Sequence, residues 1–383
     1  MEKSTATSST FSSWDDSASY QGRSTETTDG IRNHEVEHTV EKKLQPDVAN
    51  LVSKVVGFEE LGKYEDVADK VEELITLSTQ PASKESKKKG IDEQKQKLCN
   101  NARRWLDWKP KDSKPKYERD LYSCFIDYII LISMVLAEKE YSEYDATIER
   151  RILPHPEIDV RSDPEADIRY DIVLRCCGLG VNIQQEYGSF KPDANLPDSE
   201  NKPNKKRKVD EPKPAKCEDS IKYQDQVKDA FGFVKVKKSS TDDDEPYTYA
   251  QLGRYVLCAL DAQFDRNFMW GITVCGKFVR FILFTHSAAI PSKRLDMRKV
   301  KDRKQFVDNY IRLSLCPKYR VGYDPTKTWL SELNRWKVEC FDTNRGNSQQ
   351  GAKGPCETVY VDPKPITPGG SLFGRRTRCH LAS

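Results

Sequence analysis

The sequence has little of what marks a metalloprotein, a nucleic-acid-binding protein or a disulfide-rich secreted protein. It contains five histidines, and its eleven cysteines form no C-x-x-C pair, whereas a zinc site needs clustered ligands. The 63 basic and 60 acidic residues leave a net charge of +3, so global charge predicts neither a nucleic-acid partner nor a membrane partner. An odd number of scattered cysteines instead indicates mostly buried, reduced thiols in an intracellular protein.

Long apolar runs are also scarce. The N-terminal residues MEKSTATSSTFSSWDD lack the apolar core of a signal peptide. One run, Leu121 to Ala137, is 17 residues long and contains Asp127, and an ionisable group inside a bilayer costs about 2.5–3.5 kcal/mol. We therefore predict a buried core helix from about Tyr117 to Glu140, and no membrane partner.

Composition divides the chain into four parts. Hydrophobic residues make up 37% and charged residues 32%, which supports one or two cores joined to long solvated segments. We expect a disordered Ser/Thr-rich tail over residues 1–45 and a helical region over 46–150. An α/β domain is expected over 151–330, with a disordered basic insertion at about 188–219, and a β-rich segment over 331–383.

Residues 247–326 carry the strongest structural pattern. Apolar residues from Leu252 to Leu260, followed by Gln263, recur at three- and four-residue spacing, which predicts one face of an amphipathic helix. Two β-branched and aromatic runs follow, joined at Gly276-Lys277, and a glycine at the first position of a two-residue loop suits a type II′ hairpin. The second run is apolar on both faces except for Arg280, so it should lie inside a sheet that is covered on both sides.

A second helix and a turn complete this block. An apolar stripe runs from Phe306 to Leu313, and the GYDPT sequence at 322–326 predicts a turn, because proline fixes one torsion and Asp324 can bond its own backbone. The pattern as a whole is typical of an α/β (α+β) fold with a mixed sheet flanked by helices. Further strands are predicted at about 169–175, 231–238, 336–343 and 356–365.

These elements, in this order, resemble a known family. A tyrosine-bearing helix ending in Gln263 and Arg266, the hairpin around Cys275-Gly276 and the turn at 322–326 resemble the region upstream of the catalytic domain in fungal-type protein kinases. The resemblance runs from about Arg169 to the C-terminus. It implies an N-terminal regulatory or binding region whose expected partners are proteins, a kinase catalytic domain among them.

The end of the chain resembles the first strand and glycine turn of that catalytic domain. Gly374, Arg375 and Thr377 stand where a vestigial nucleotide-binding turn would lie, with Arg376 in place of the second glycine. A missing Cβ is what lets backbone approach phosphates, so Arg376 weakens the match, and an unrelated surface turn is the alternative.

A kinase also needs a strand lysine, a His-Arg-Asp-type loop and an Asp-Phe-Gly. None of the five histidines precedes Arg-Asp, and no Asp-Phe-Gly occurs. We therefore expect an inactive, truncated kinase domain that needs no cofactor. The alternative is an active Ser/Thr protein kinase that uses ATP and Mg²⁺, if the chain is a fragment of a longer product.

A second enzyme hypothesis comes from the strand pattern. Asp171, followed by Phe233-Val234-Lys235-Val236-Lys237, resembles the Asp…(Asp/Glu)-x-Lys arrangement of restriction-endonuclease-like folds, in which two carboxylates hold Mg²⁺ and a lysine assists water. Lys235 occupies the second carboxylate position and would repel the ion. This alternative is therefore a degenerate nuclease-like domain, unless Glu186 or one of Asp242–Asp244 supplies the ligand. Otherwise Asp171 caps or pairs near a strand end.

A basic run lies in the proline-rich insertion. Lys205, Lys206, Arg207 and Lys208 are consecutive and flanked by Pro203, Pro212 and Pro214. Four positive charges in an extended segment fit the acidic groove of a nuclear import receptor. We therefore expect nuclear localisation, with a solvated linker in a cytoplasmic protein as the alternative.

Three arginines of the central block are interleaved with aromatic residues. Arg254, Arg266 and Arg280 could line a nucleic-acid-binding groove. Because an arginine on a sheet face more often pairs with an internal carboxylate, we expect Arg280 to pair with Asp261 or Asp265. Nucleic acid is therefore not an expected partner.

Overall fold

The structure, a computed structural model, describes residues 40, 42–57, 64–78, 93–107, 119–140, 151–156, 172–177, 230–340 and 357–363. Its helices are α1 (Leu51–Val56), α2 (Glu65–Leu77), α3 (Glu93–Leu106), α4 (Arg119–Glu140), α5 (Pro246–Ala262) and α6 (Val300–Leu315). Its strands are β1 (Arg151–Pro156), β2 (Ile172–Cys177), β3 (Ala230–Lys237), β4 (Met269–Cys275), β5 (Phe278–Phe284), β6 (Ala289–Pro291), β7 (Leu295–Asp296), β8 (Lys327–Leu330), β9 (Arg335–Cys340) and β10 (Glu357–Val361).

Two sheets are formed by these strands. The larger sheet has the order β1-β2-β3-β4-β5-β6, with β7 pairing beside β6 on β5. Only β3 and β4 are parallel among its pairs, and they are connected through α5, whereas the other neighbours run antiparallel. The smaller sheet is antiparallel with the order β10-β9-β8. The predicted mixed sheet flanked by helices is confirmed.

Helices cover both faces of the larger sheet. Along β5, Val279, Phe281 and Leu283 pack into a core shared with α1–α4 and α6, while Ile282 and Phe284 pack with α5 on the other face. This burial on both faces confirms the prediction for the second strand of the hairpin, and it makes a three-layer arrangement of helices, sheet and helix.

The N-terminal helices are built into the core of the larger sheet. Phe306 of α6 is fully buried, and its ring centroid lies 6.1 Å from Phe125 and 5.8 Å from Tyr128 of α4 and 5.5 Å from Phe281 of β5. Trp105 of α3 donates its indole N–H to the carbonyl of Gly276, 2.9 Å away. These aromatic contacts join residues far apart in sequence into one hydrophobic cluster.

Helix α4 is the predicted apolar helix. Its stretch Leu121–Glu138 is long and apolar enough to cross a membrane by length and composition, and 72% of that stretch is buried inside the protein. Asp127 accepts a hydrogen bond from Asn101 of α3 at 2.7 Å, and burial raises the pKa of its carboxyl against the opposing effects of Asn101 and Lys97. The helix therefore packs as a core helix, as the sequence predicts.

The hairpin between β4 and β5 has the predicted two-residue loop. Cys275 pairs with Phe278, and Gly276 has φ +57° while Lys277 is not among the residues with positive φ. A positive φ at the first loop position alone is the requirement of a type II′ turn. A Cβ at Gly276 would lie 2.6 Å from the Ser240 hydroxyl oxygen, so the position also has no room for a side chain.

A segment near the N-terminus runs beside β6. Leu44 and Val48 form parallel bridges with Ala289 and Ser292, and the amide of Val48 donates to the carbonyl of Pro291 at 2.8 Å. This pairing covers the outer edge of β6, where unpaired backbone groups would otherwise invite association. It also brings Asp47 to the sheet.

Several predictions fall outside the described residues. These are the disordered tail up to residue 39, the whole of the basic insertion, and the kinase-like end of the chain. The restriction-endonuclease-like core stays a prediction. The strand predicted at 169–175 is found as β2, which extends to Cys177, and the structure adds β1, β6, β7 and β8 to the predicted strands.

Candidate functional site

The residues singled out in the sequence are unevenly represented in the structure. Lys237 lies on β3, whereas Asp171 lies outside the described residues. The same holds for the import run and the glycine turn, which comprise Lys205, Lys206, Arg207, Lys208, Gly374, Arg375 and Thr377. The described part of the predicted sites is therefore the β3 strand and the charged residues around it.

The position expected for a second metal-binding carboxylate is filled by a buried lysine. Lys235 is 6% exposed, and its Nζ lies 3.3 Å from the hydroxyl oxygen of Tyr255 and 5.6 Å from the centre of that ring. Lys237, two residues along the same face of β3, holds its Nζ 5.6 Å from the ring centre of Tyr247. Both ammonium groups thus contact tyrosines of α5.

Arg280 is the most highly bonded side chain at the centre of the larger sheet. Its Nε donates to Asp243 Oδ2 at 2.8 Å, its Nη2 donates to Asp244 Oδ1 at 2.8 Å, and its Nη1 pairs with Asp47. Nη1 also donates to the carbonyl of Ser292 at 3.2 Å. The expectation of an internal carboxylate partner is therefore confirmed.

The predicted partners of Arg280, however, are wrong. We expected Asp261 or Asp265, but the guanidinium points from β5 toward the 3₁₀ helix Ser240–Asp244. Asp243 lies in that short helix, and its side chain is fully buried. An arginine fork can satisfy several carboxylates at once, and three distant segments meet on this one residue.

The carboxylates around Arg280 are in unequal environments. Asp243 is fully buried, and burial raises the pKa of its carboxyl while Arg280 opposes that rise. Asp244 and Asp47 are 67% and 43% exposed, so water screens their attraction to the arginine. Burial lowers the pKa of the Arg280 guanidinium, but hydrogen bonds to Asp47 and Asp243 raise it further than burial lowers it. Asp243 is therefore the partner whose charge depends most on Arg280.

These ion pairs bear on the nuclease hypothesis. Asp243 and Asp244 were candidates for the missing metal ligand, but both face the Arg280 guanidinium, and Arg294 lies 3.3 Å from Asp244. In the part of the chain that the structure describes, no group of three or more His, Cys, Asp or Glu side chains is placed to hold a metal ion.

Gln263 and Arg266, which carry the kinase-family resemblance, connect α5 to β3. Gln263 Nε2 donates to the carbonyl of Ala230 at 2.8 Å, and Arg266 Nη2 donates to the carbonyl of Phe231 at 2.8 Å. The Arg266 guanidinium also lies 4.1 Å from the centre of the Tyr323 ring, a cation–π contact. Because Arg266 and Arg280 are each 4% exposed, they do not line a nucleic-acid groove on the surface.

The turn at 322–326 is locked against the same region. Gly322 has φ +109°, and a Cβ there would lie 2.1 Å from the carbonyl oxygen of Phe268. Asp324 accepts hydrogen bonds from the amide of Thr326 at 3.0 Å and from its hydroxyl at 2.7 Å, as predicted. The helix, the hairpin and the turn that define the resemblance thus meet in space.

The small sheet follows directly and carries exposed aromatic surface. Trp329 of β8 pairs with Trp336 of β9, with ring centroids 5.3 Å apart. Trp336 also lies 5.7 Å from the ring of Phe264. Trp329 is 39% exposed, and Leu333 in the connecting turn is 56% exposed. Strand β9 was predicted at about 336–343, but β8 and the hairpin that it forms with β9 were missed; Asn334 in the turn between them has φ +49°.

Comparison with known protein families finds a match over the C-terminal part of the chain. Residues 212–383 match the family model described as Fungal protein kinase. Over these residues the chain is similar to the fungal protein kinase family. No curated protein and no solved structure matched the chain. The matched residues contain β3 to β10. They therefore include Arg266, Arg280, the turn at 322–326 and the small sheet.

Proposed function

We propose that the chain acts in the fungal-type kinase family as a noncatalytic region that binds and regulates a kinase catalytic domain. The bonding of charged residues in the matched region, residues 212–383, supports this proposal. Arg280 holds Asp243 and Asp244, Lys235 contacts Tyr255, and Arg266 holds the β3 backbone. These groups maintain the fold.

The sequence supports the noncatalytic half of this proposal. Phosphoryl transfer depends on charged groups that position the nucleotide, its metal ions and the nucleophile. The His-Arg-Asp-type loop and the Asp-Phe-Gly do not occur in this chain. The turn that resembles the start of the catalytic domain carries Arg376 where a glycine would let backbone reach the phosphates.

Three parallel assays test this function on the purified full chain. We expect no phosphate transfer from ATP to a generic acceptor with Mg²⁺, no nicking of plasmid DNA with Mg²⁺, and co-elution with a separately purified catalytic domain of a fungal-type protein kinase in size-exclusion chromatography. Phosphate transfer would favour the active-kinase alternative, and nicking that is lost in Asp171→Ala would favour the nuclease alternative. Failure to co-elute would contradict the binding role.

We further propose that the basic run directs the chain to the nucleus through an import receptor. Four consecutive positive charges from Lys205 to Lys208 between prolines support this. A reporter fused to residues 198–215 should accumulate in the nucleus, and replacing the four basic residues by alanine should return it to the cytoplasm. A uniformly cytoplasmic signal from the unaltered fusion would contradict the proposal.

A further inference from the structure

The small sheet has two chemically different faces. Strand register places Trp329 and Lys327 of β8 on the same face as Trp336 and Val338 of β9. Val359 and Val361 of β10 continue this face. We call it the tryptophan face, and it consists of Lys327, Trp329, Trp336, Val338, Cys340, Glu357, Val359 and Val361.

The opposite face carries more of the charged side chains, together with Leu330 and Tyr360. There Arg335 Nε pairs with Asp362 at 3.0 Å, and Lys337 Nζ pairs with Glu339 at 2.8 Å. Because side chains alternate along a strand, both tryptophans lie on one face of the small sheet, and a sheet face with large apolar side chains normally packs against another layer. The apolar side chains of the tryptophan face remain partly exposed, apart from Val361, which is buried.

The tryptophan face is fixed to the body of the protein at one end. Lys327 Nζ donates to the carbonyl of Phe264 at 3.1 Å and lies 3.4 Å from Asp324. Phe264 lies against Trp336, and Trp336 lies against Trp329. The row of rings leads from the body toward the turn, where Leu333 is the most exposed large hydrophobic residue in the part of the chain that the structure describes. A preorganised aromatic surface binds with little loss of side-chain entropy.

Resting on the function proposed above, we propose that the tryptophan face and Leu333 form the docking surface for the kinase catalytic domain. The surface lies inside the region that matches the fungal protein kinase family. The chain leaves β10 at Val361 and reaches Gly374, the turn resembling the start of a catalytic domain, thirteen residues later. At about 3.5 Å per residue this connection spans at most about 45 Å.

This short connection supports a kinase catalytic domain as the partner of the tryptophan face. A domain joined to this segment would be held at high effective concentration beside the small sheet. Tryptophan is enriched among the residues that dominate binding energy at protein interfaces. The partner is therefore expected to present an apolar patch to Trp329 and Leu333.

Full-length variants test the surface by calorimetric titration with a purified catalytic domain of a fungal-type protein kinase. We expect Trp329→Ala and Leu333→Arg each to weaken binding by about tenfold or more, in line with a central interface residue. Tyr319→Ala removes an aromatic side chain that is 52% exposed but lies outside the small sheet, and it should leave the Kd unchanged. Because Leu333 lies in an exposed turn, its variant tests the surface even if the tryptophan variant fails to fold.

The outcomes separate this inference from the function on which it rests. If the unaltered chain binds the catalytic domain and both variants bind equally well, the docking surface is wrong while the proposed function stands. If the unaltered chain does not bind, the proposed function fails and the surface inference fails with it. Self-association of the chain that Leu333→Arg abolishes, without any effect on the catalytic domain, would assign the face to a second copy and overturn the proposal.

Discussion

Replacing Arg280 by methionine should leave a carboxylate buried without its main charge partner. Methionine keeps most of the length and apolar volume of the arginine stem, and it removes the guanidinium that bonds Asp243, Asp244 and Asp47. Asp243 is fully buried, and Arg294, 4.0 Å away, is its nearest remaining cation. The variant therefore isolates the cost of an uncompensated buried charge.

The magnitude follows from the exposure of the three partners. Breaking a buried ion pair by removing one member costs about 3–5 kcal/mol, and the Arg280–Asp243 pair meets that description. An exposed pair is worth about 0–1 kcal/mol, so Asp244→Asn, which alters a side chain that is 67% exposed, should cost no more than that. We thus expect the unfolding free energy of Arg280→Met to fall by about 3–5 kcal/mol.

The cost of Arg280→Met should depend on pH through the pKa of Asp243. In the fold, the pKa of Asp243 is raised above its ordinary value of 3.8, chiefly by burial, and Arg280 limits the rise. Removing Arg280 should raise this pKa further. A group whose pKa is higher in the folded state than in the unfolded state binds its proton more tightly when the protein is folded. The stability that this proton contributes is present at low pH and is lost as pH rises through the folded-state pKa. The cost of Arg280→Met should therefore shrink as pH falls toward 3.8.

Unfolding in guanidinium chloride, followed by tryptophan fluorescence, measures the loss of unfolding free energy and its dependence on pH, since the chain has six tryptophans. Arg103→Met is the control, because Arg103 and its partner Asp107 are 38% and 65% exposed, and it should cost about 0–1 kcal/mol. A cost below about 1 kcal/mol for Arg280→Met, or a cost that does not change with pH, would refute the reasoning.

The remaining predictions concern the core, the thiols and the turn. Phe306→Ala should cost about 3–5 kcal/mol in the same unfolding measurement, because the ring joins the N-terminal helices to the sheet; a cost near zero would mean that they share no core. Burial raises the pKa of the Cys99 thiol to about 11, so iodoacetamide at pH 7.5 should modify exposed Cys340 and spare Cys99 in peptide mapping, and equal labelling would contradict this burial. Gly322→Ala should lower the melting temperature, because the new Cβ meets the Phe268 carbonyl; an unchanged melting temperature would contradict that geometry.

Local structure in the central block could be predicted because its causes are local. The type II′ hairpin follows from one glycine, the Asp324 turn from one carboxylate, and both helices from their apolar spacing. Helix periodicity, however, indicates only which side of a helix is buried. That α4 packs against Phe306 could not be predicted from the sequence of either helix.

The candidate site was less predictable, because its contacts are long-range. Arg280 could be predicted to have an internal carboxylate partner, since a lone charge interrupts an apolar strand. Its actual partners Asp243 and Asp47 lie 37 and 233 residues away, so proximity in sequence pointed to the wrong aspartates. The tryptophan face was missed for a different reason: β8 has four residues, too few for a clear alternating pattern.

We propose that this chain binds a kinase catalytic domain and does not itself transfer phosphate. Isothermal titration of a catalytic domain of a fungal-type protein kinase into the full-length chain tests it most directly. We expect saturable one-to-one binding that does not require ATP. The absence of binding heat at high micromolar concentrations of both proteins would contradict it.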